Sequence, residues 1–316
     1  MGVSLSMRYF RRSAMLTVSA GLCFTCFSGE KVIPEVTGRL VVATGSGEVL
    51  YLEGEEWLKK SLPIGSLVKP FTALAAIETD PSLACLVVNC QSTSPSVPVG
   101  EGCWYRPGHG SLGLSQALAL SCDRYFHLLA SRTSPSIWKK VLTRYGLSPP
   151  EETSEIISEM VGTGEKLQAT PLEILGAYLT LVTGLFYRCQ SAPSGHWKFL
   201  AGGPVPGNEQ ARHLVDQGLA GCLSWGTGSN LFALGDVRPA GKTGTVSFSL
   251  TNRPGLAGTH GWFVGFWPGE NPEVALVVFL LEGRGSDAAR AGCNLFQQLR
   301  ARGIISKTGQ SSGKRQ

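Results

Sequence analysis

Residues 66–77 join two reactive side chains to an apolar run that is typical of a buried helix. Ser66 and Lys69 are three positions apart, and the mostly apolar stretch Phe71–Ile77 follows them. Positions i and i+3 lie on one face of a helix, so the hydroxyl and the amine are predicted to be neighbours on a rigid element. A partly desolvated lysine can take the proton of a serine and make it a nucleophile. Alone, Ser-x-x-Lys is more often a helix start with a solvated lysine.

A second polar cluster, Ser121-Cys122-Asp123, stands at a break between two helical patterns. A tight turn between helices can present the Ser121 hydroxyl to a cleft, where it can relay a proton. In isolation Ser-x-Asp is more commonly a helix N-cap.

A third cluster, Lys242-Thr243-Gly244-Thr245, lies on a predicted strand. Lys242 supplies a fixed positive charge, and the hydroxyls of Thr243 and Thr245 can hold a carboxylate. Gly244 has no side chain, so another backbone can come close. A Walker A phosphate loop is excluded, because its glycines would be separated by five residues instead of four and a helix should begin where this segment is strand-like.

Strand patterns at both ends of the chain enclose a helical middle. Period-2 or continuous β-rich patterns predict strands at 39–44, 48–52, 240–246, 261–266 and 273–281. A closing helix is predicted over residues 287–302, and residues 191–207, rich in Gly and Pro, are predicted to be a loop. Because βαβ alternation is missing, the pattern indicates an α+β fold with one sheet completed by both ends of the chain.

Composition excludes some function classes. The net charge of +5 is diffuse, which argues against a nucleic-acid site. Cysteine and histidine spacings match no zinc motif, so we expect no metal. The crowding of Cys85, Cys90 and Cys103 favours one disulfide there in an oxidising compartment.

The chain ends differ from its middle. Residues 1–28 combine arginines with a short apolar run, which predicts an export signal or a retained N-terminal anchor. We therefore expect an exported protein, periplasmic or on the outer face of the cytoplasmic membrane. Residues 29–305 are predicted to form the folded domain, and residues 306–316 a polar, basic, disordered tail.

The three clusters, in this order, resemble the transpeptidase domain of penicillin-binding proteins, within the serine D,D-peptidase and β-lactamase-like superfamily. Neighbouring segments strengthen the resemblance: 63–76, 119–126, 164–172 and 261–266. It implies a five-stranded antiparallel sheet flanked by helices, with a mostly helical subdomain over about residues 82–225, and no cofactor.

The resemblance also implies an acyl-serine mechanism on peptidoglycan stem peptides ending in D-Ala-D-Ala, with β-lactams as competing acylators. Ser66 would be the nucleophile, Lys69 the general base, and Ser121 a proton relay assisted by Lys242. The backbone N–H groups of Ser66 and Thr245 would form the oxyanion hole.

The resemblance further implies that Thr243 and Thr245 hold the terminal carboxylate of the substrate, beside Gly244 and Asp123. Relatives usually have asparagine at the position of Asp123, and an ionised aspartate can only accept hydrogen bonds. A carboxylate near Lys69 would favour the charged amine and weaken it as a base. One interpretation that preserves activity is a pairing of Asp123 with Lys242.

Two other functions remain open on the sequence. A serine β-lactamase shares the three clusters but needs a group that activates water, either a glutamate on a loop or a carbamylated Lys69. The acidic segment near residue 151 lacks the accompanying asparagine, which favours slow deacylation and hence a transpeptidase or carboxypeptidase. The other candidate is a catalytically weak scaffold that binds peptidoglycan or β-lactams, for which Asp123 is the support.

Overall fold

The computed structural model describes residues 36–94, 102–151, 154–191, 197–229, 238–249 and 257–305. The segments predicted as export signal (1–28) and disordered tail (306–316) lie outside these residues. The strands are β1 (Gly38–Ala43), β2 (Val49–Glu53), β3 (Leu62–Pro63), β4 (Val88–Cys90), β5 (Gly110–Leu112), β6 (Gln168–Ala169), β7 (Leu185–Ser191), β8 (Trp197–Pro204), β9 (Ala240–Ser249), β10 (Ala257–Trp267) and β11 (Val274–Leu280).

The helices follow the apolar periodicity of the sequence and are capped by polar residues at several N-termini. They are α1 (Glu55–Leu58), α2 (Lys69–Thr79), α3 (Leu114–Ala119), α4 (Asp123–Ser131), α5 (Pro135–Arg144), α6 (Ile156–Val161), α7 (Pro171–Thr183), α8 (Glu209–Ser224) and α9 (Gly285–Ala301). No helix among the described residues is long and apolar enough to cross a membrane.

A five-stranded antiparallel sheet with the order β2-β1-β11-β10-β9 forms the frame of the domain. Strand β11 is buried along its whole length, and its alternate residues enter two different apolar clusters. Val277 and Phe279 face the cluster that contains α2 and α7, whereas Leu276 and Val278 face α9. The predicted α+β fold with this sheet and flanking helices is confirmed.

Two hydrogen bonds attach α2 to the helices around it. The Thr72 hydroxyl donates to the Met160 carbonyl at 2.7 Å, and the Trp138 indole N–H donates to Thr72 Oγ1 at 3.1 Å. The Tyr178 hydroxyl of α7 donates to the Leu67 carbonyl at 2.8 Å, just before α2 begins. These contacts are buried, so they fix the start of α2 against α5, α6 and α7.

The loop predicted for residues 191–207 is wrong in part. Residues 197–204 form β8, which pairs with β7 in a two-stranded sheet. Phe199 is buried on one face of β8, and a Cβ at Gly202 would stand at an ordinary contact distance of 3.4 Å from the Phe186 carbonyl of β7. The pairing of the two strands therefore outweighs the preference of the glycines for a loop.

Candidate active site

Ser66 and Lys69 lie at the start of α2. Ser66 is in a 3₁₀ turn, Gly65–Val68, that leads into the helix rather than in the helix itself. Gly65 precedes it with a φ of +56°, and a Cβ there would come within 2.6 Å of Val246. The Lys69 ammonium donates to Ser66 Oγ at 2.7 Å, and the Lys69 side chain is fully buried.

Ser121 lies in the turn between α3 and α4. Its φ is +52°, a left-handed conformation that is rare for residues other than glycine. Such strain occurs where the surroundings impose a functional geometry. Its hydroxyl is 3.3 Å from Lys69 Nζ and 3.0 Å from Lys242 Nζ, so it lies between the two amines.

Asp123 begins α4 and forms an ion pair with Lys69, with Oδ1 and Nζ 2.7 Å apart. Its second carboxylate oxygen accepts a hydrogen bond from the Trp104 backbone N–H at 3.3 Å. The interpretation that pairs Asp123 with Lys242 is wrong, because the turn of Ser121 directs the first residue of α4 towards α2.

Lys242 projects from β9, the edge strand of the sheet, and is fully buried. Besides the Ser121 contact, its Nζ donates to the Thr243 carbonyl at 2.8 Å. Burial is the largest influence and lowers the pKa of Lys242 to about 7; Cys222 raises this pKa, the charge of Lys69 lowers it further, and Asp123 raises it least. An amine with that pKa changes charge in the neutral pH range.

The other residues of the third cluster shape the cleft beside Ser66. A Cβ at Gly244 would stand 3.2 Å from the Ile64 carbonyl oxygen, so the strand packs tightly against the segment before Ser66. Thr245 Oγ1 accepts from the Gly285 N–H at 2.9 Å, and the Thr243 hydroxyl bonds to that of Thr227. Each threonine is thereby oriented by a neighbour.

A cavity of about 440 Å³ unites the predicted residues. Ser66, Ser121, Asp123, Thr243 and Thr245 all line it, while Lys69 and Lys242 lie buried behind its wall. Sequence reasoning missed further lining residues, which come from four separate segments: Trp104, Gly162, Thr163, Thr227, Arg284 and Ser286.

Some of the missed residues had no sequence signal, and others had a weak one. Trp104 donates through its indole N–H to the Ser121 carbonyl at 3.0 Å and so covers the turn, but nothing in its turn-rich surroundings marks it. Gly162, with a φ of +82°, would carry a Cβ 2.3 Å from the Gly65 carbonyl oxygen. A glycine after a short helix is a common C-cap, which was the available signal.

Four side chains of types that ligate metals lie close together, and one of them, Cys122, is the residue after Ser121. They come from the end of β4, the following loop, the residue before β5 and the N-cap of α4: Cys90, Cys103, His109 and Cys122. Their ligand atoms all lie within 4.8 Å of one another. The described cysteines are free thiols, so the disulfide favoured among Cys85, Cys90 and Cys103 does not form here, and Cys85 is exposed.

The spacing of this Cys₃His cluster fits a tetrahedral zinc ion. Zinc bonds of about 2.3 Å to sulfur and 2.0 Å to nitrogen give separations of about 3.8 Å between two sulfurs and 3.5 Å between sulfur and nitrogen. Cys103 Sγ is 3.8 Å from Cys122 Sγ, and His109 Nδ1 is 3.4 Å from Cys103 Sγ and 3.6 Å from Cys90 Sγ. The hydrogen bond with Cys122 lowers the pKa of Cys103, which favours the thiolate form that binds metals.

The expectation of no metal rests on spacing along the chain, which is uninformative when each ligand comes from a different segment. Cys122 separates Ser121 from Asp123 in the sequence, so an ion bound by this cluster would hold both flanking residues in place.

Comparison with known families decides what kind of domain this is. The model of the penicillin binding protein transpeptidase domain matches residues 38–299. The chain belongs to this family. Among curated transpeptidase relatives, the peptidoglycan D,D-transpeptidase MrdA of Acinetobacter baumannii is 24% identical over 246 residues, which cover 61% of this chain and 35% of that protein. MrdA of Haemophilus influenzae is 26% identical over 286 residues, covering 72% and 42%. The chain thus spans less than half of the length of either relative.

Solved penicillin-binding proteins share the fold. The transpeptidase domain of Burkholderia pseudomallei penicillin-binding protein 3 superposes with a TM-score of 0.67 at 19% identity, over 86% of this chain and 89% of that chain. PBP2 of Helicobacter pylori, solved in complex with MreC, gives 0.67 at 18% identity, over 85% and 60%. The predicted resemblance to this family is confirmed.

Proposed function

We propose that this domain is an acyl-serine D,D-transpeptidase that acts on peptidoglycan stem peptides ending in D-Ala-D-Ala and is acylated by β-lactams. The observation that carries the proposal is the 2.7 Å contact between Ser66 Oγ and Lys69 Nζ, at the wall of a cavity shared with Ser121, Thr243 and Thr245. A hydroxyl in contact with a buried amine is an arrangement that activates serine for acyl transfer. Family membership and the peptidoglycan D,D-transpeptidase relatives agree with it.

In the first half-reaction Ser66 Oγ attacks the carbonyl of the penultimate D-alanine and gives up its proton to the buried lysine amines. The carbonyl electron pair moves onto oxygen, where the backbone N–H groups of Ser66 and Thr245 stabilise it. When the C–N bond breaks, the terminal D-alanine leaves as an amine that takes a proton from Ser121. Ser121 is suited to this relay because its hydroxyl contacts both Lys69 and Lys242.

The terminal carboxylate of the substrate binds at the β9 end of the cavity. The hydroxyls of Thr243 and Thr245 line that end, and Arg284 adds a positive charge to the same wall. Because β9 is the edge strand of the sheet, an extended peptide can add beside it, with Gly244 leaving the strand free to pack closely against residue 64. Asp123 and Trp104 also line the cavity.

In the second half-reaction an amine of another stem peptide displaces Ser66 from the acyl group. Microscopic reversibility places this amine where the first amine left, beside Ser121. Water in that position gives carboxypeptidase action instead. Peptidoglycan lies outside the cytoplasm, so the proposal requires an exported domain, in agreement with the sequence pattern of residues 1–28.

The test is product analysis with a pentapeptide ending in D-Ala-D-Ala, with and without an acceptor amine. We expect release of D-alanine and a new amide with the acceptor, both absent in Ser66→Ala. Release of D-alanine without the amide would make the domain a carboxypeptidase. Absence of any release, with a folded protein, would contradict catalysis and leave the scaffold function.

A further inference from the structure

Two buried lysines share one hydroxyl in this site. Lys69 Nζ and Lys242 Nζ lie 3.3 Å and 3.0 Å from Ser121 Oγ, and both side chains are fully buried. Two ammonium ions this close repel each other strongly where water is excluded. Asp123 is the carboxylate in contact with the pair, so one negative charge compensates one of the two amines. The other amine is more stable when neutral.

The ion pair decides which lysine keeps its charge. Asp123 Oδ1 lies 2.7 Å from Lys69, whereas Lys242 has the uncharged Thr243 carbonyl as its second partner. Three acceptors surround Lys69, namely Ser66 Oγ, Ser121 Oγ and Asp123 Oδ1, which matches the three N–H bonds of an ammonium. A charged lysine has no lone pair and cannot accept a proton.

The surroundings of Lys242 suit a neutral amine. One N–H donates to the Thr243 carbonyl, and the lone pair can accept from the Ser121 hydroxyl. The titratable groups that act on it are Lys69 of α2, Asp123 of α4 and Cys222 of α8. On the paired strand β10, His260 stands opposite Val246, four positions from Lys242. Burial and Lys69 lower the pKa of Lys242 to about 7, in agreement with the geometry.

We propose that in this chain Lys242, and not Lys69, is the final acceptor of the Ser66 proton, which it receives through Lys69 and Ser121. This inference rests on the proposed function. It adds that Lys242 takes the role of base that the family resemblance gives to Lys69. Asp123, where relatives of this family usually have asparagine, is the positioning residue that imposes the exchange.

The proton transfer begins at Lys242, the amine that has a lone pair. Ser121 passes its proton to neutral Lys242 and takes one from Lys69, which gives Lys69 a lone pair. Lys69 then takes the proton of Ser66 as Oγ bonds to the carbonyl carbon. Lys69 therefore ends as it began, charged and paired with Asp123, while Lys242 becomes an ammonium. When the C–N bond breaks, Ser121 protonates the leaving amine and takes a proton back from Lys242, which is neutral again for the next cycle.

The test is a double-mutant cycle on the rate of acylation by benzylpenicillin, followed by intact mass between pH 5.5 and 9.5. Lys242→Arg keeps a cation that cannot lose its proton in this range. We expect it to slow acylation of the wild-type domain by about 100-fold or more, a typical contribution of acid–base catalysis. In the Asp123→Asn background Lys69 has no carboxylate partner that holds its charge. There Lys242→Arg should slow acylation by less than about 10-fold.

Equal losses in the two backgrounds would overturn the proposal, because Asp123 would then not decide which lysine finally accepts the proton. Lys140→Arg, on the exposed face of α5, is the matched control and should leave the rate unchanged. Thermal unfolding of each variant separates a chemical effect from a folding defect.

A second readout does not depend on acylation. With ¹³C at the lysine Cε, NMR should show one lysine that titrates near neutral pH, and its signal should be missing in Lys242→Arg and present in Lys69→Arg. The reverse pattern would overturn the proposal. Failure of the wild-type domain to react with penicillin would contradict the proposed function, while the NMR titration would still decide which lysine is neutral.

Discussion

The Asp123 carboxylate lies 2.7 Å from the Lys69 amine, at the place where a serine nucleophile needs a proton acceptor. This pairing ties α4 to α2 and leaves Lys242 of β9 without a carboxylate in contact among its described partners. The chemistry proposed for the domain depends on this uneven distribution of charge.

Neutral Lys242 predicts a pH dependence of stability. Its pKa is lowered from 10.5 to about 7 in the folded state, so between these values the unfolded chain binds more protons than the native one. The free energy of unfolding should therefore rise from pH 7 towards pH 10.5, and this contribution should be lost as the pH falls through 7. Urea unfolding of wild type and Lys242→Met at pH 6, 7.5 and 9 measures it.

Lys242→Met has no amine to protonate at this position. Its free energy of unfolding, relative to that of the wild type, should therefore be higher at pH 6 than at pH 9. An advantage of the same size at all three pH values would show that Lys242 keeps its charge when buried.

Gly162 should be essential to the geometry around Ser66. An alanine there would meet the strain of a φ of +82° and place its Cβ 2.3 Å from the Gly65 carbonyl oxygen and 2.8 Å from the Ser66 nitrogen. We expect Gly162→Ala to lower the free energy of unfolding by about 3 kcal/mol and to slow acylation by penicillin.

Gly303→Ala is the control for the backbone strain alone. Gly303 has a φ of +68°, and nothing lies within 4 Å of where its Cβ would stand. In this variant the free energy of unfolding should fall by about 1 kcal/mol, and the rate of acylation by penicillin should equal that of the wild type. Equal losses in the two variants would mean that the packing of residue 162 against the nucleophile's turn has no energetic consequence.

The Cys₃His cluster predicts a bound metal. Protein purified without chelators should contain about one zinc ion per chain, and removal of the zinc should lower the Tm by at least about 5 °C, because the ion joins four separate segments. Cys90→Ser should lose the metal. Cys85→Ser, at an exposed thiol outside the cluster, should keep it. Metal content by mass spectrometry that is the same in both variants would exclude the cluster as the site.

The Tyr178 hydroxyl provides a simpler test of how α7 supports the nucleophile. It donates to the Leu67 carbonyl at 2.8 Å in the core, next to Ser66. Tyr178→Phe should lower the free energy of unfolding by about 1–2 kcal/mol, the usual effect of removing one buried hydrogen bond. Chemical denaturation measures this loss, and a change below about 0.3 kcal/mol would indicate that the bond contributes little.

Sequence patterns predicted the sheet and the residues that converge on the cavity, because each motif combines a local structure with a reactive side chain. Ser66 and Lys69 are neighbours by helical spacing alone, so their contact followed directly from the sequence. The ion pair between Asp123 and Lys69 did not follow from the sequence, since it depends on the left-handed backbone of Ser121, which no residue pattern marks.

Long-range contacts explain the other differences. The ligand-type side chains of the Cys₃His cluster lie far apart in the chain, and the pairing of β4 with β5 brings Cys90 close to His109. The sequence predicts a loop at β8 because glycines are common in turns, but the pairing of β8 with β7 outweighs that local preference.

The most direct test of the acyl-serine mechanism is the intact mass of the purified domain after incubation with benzylpenicillin. We predict a mass increase equal to one penicillin molecule, stable for minutes or longer, located on the peptide that contains Ser66 and absent in Ser66→Ala. A folded wild-type domain that stays unmodified, or an adduct on another residue, would contradict it.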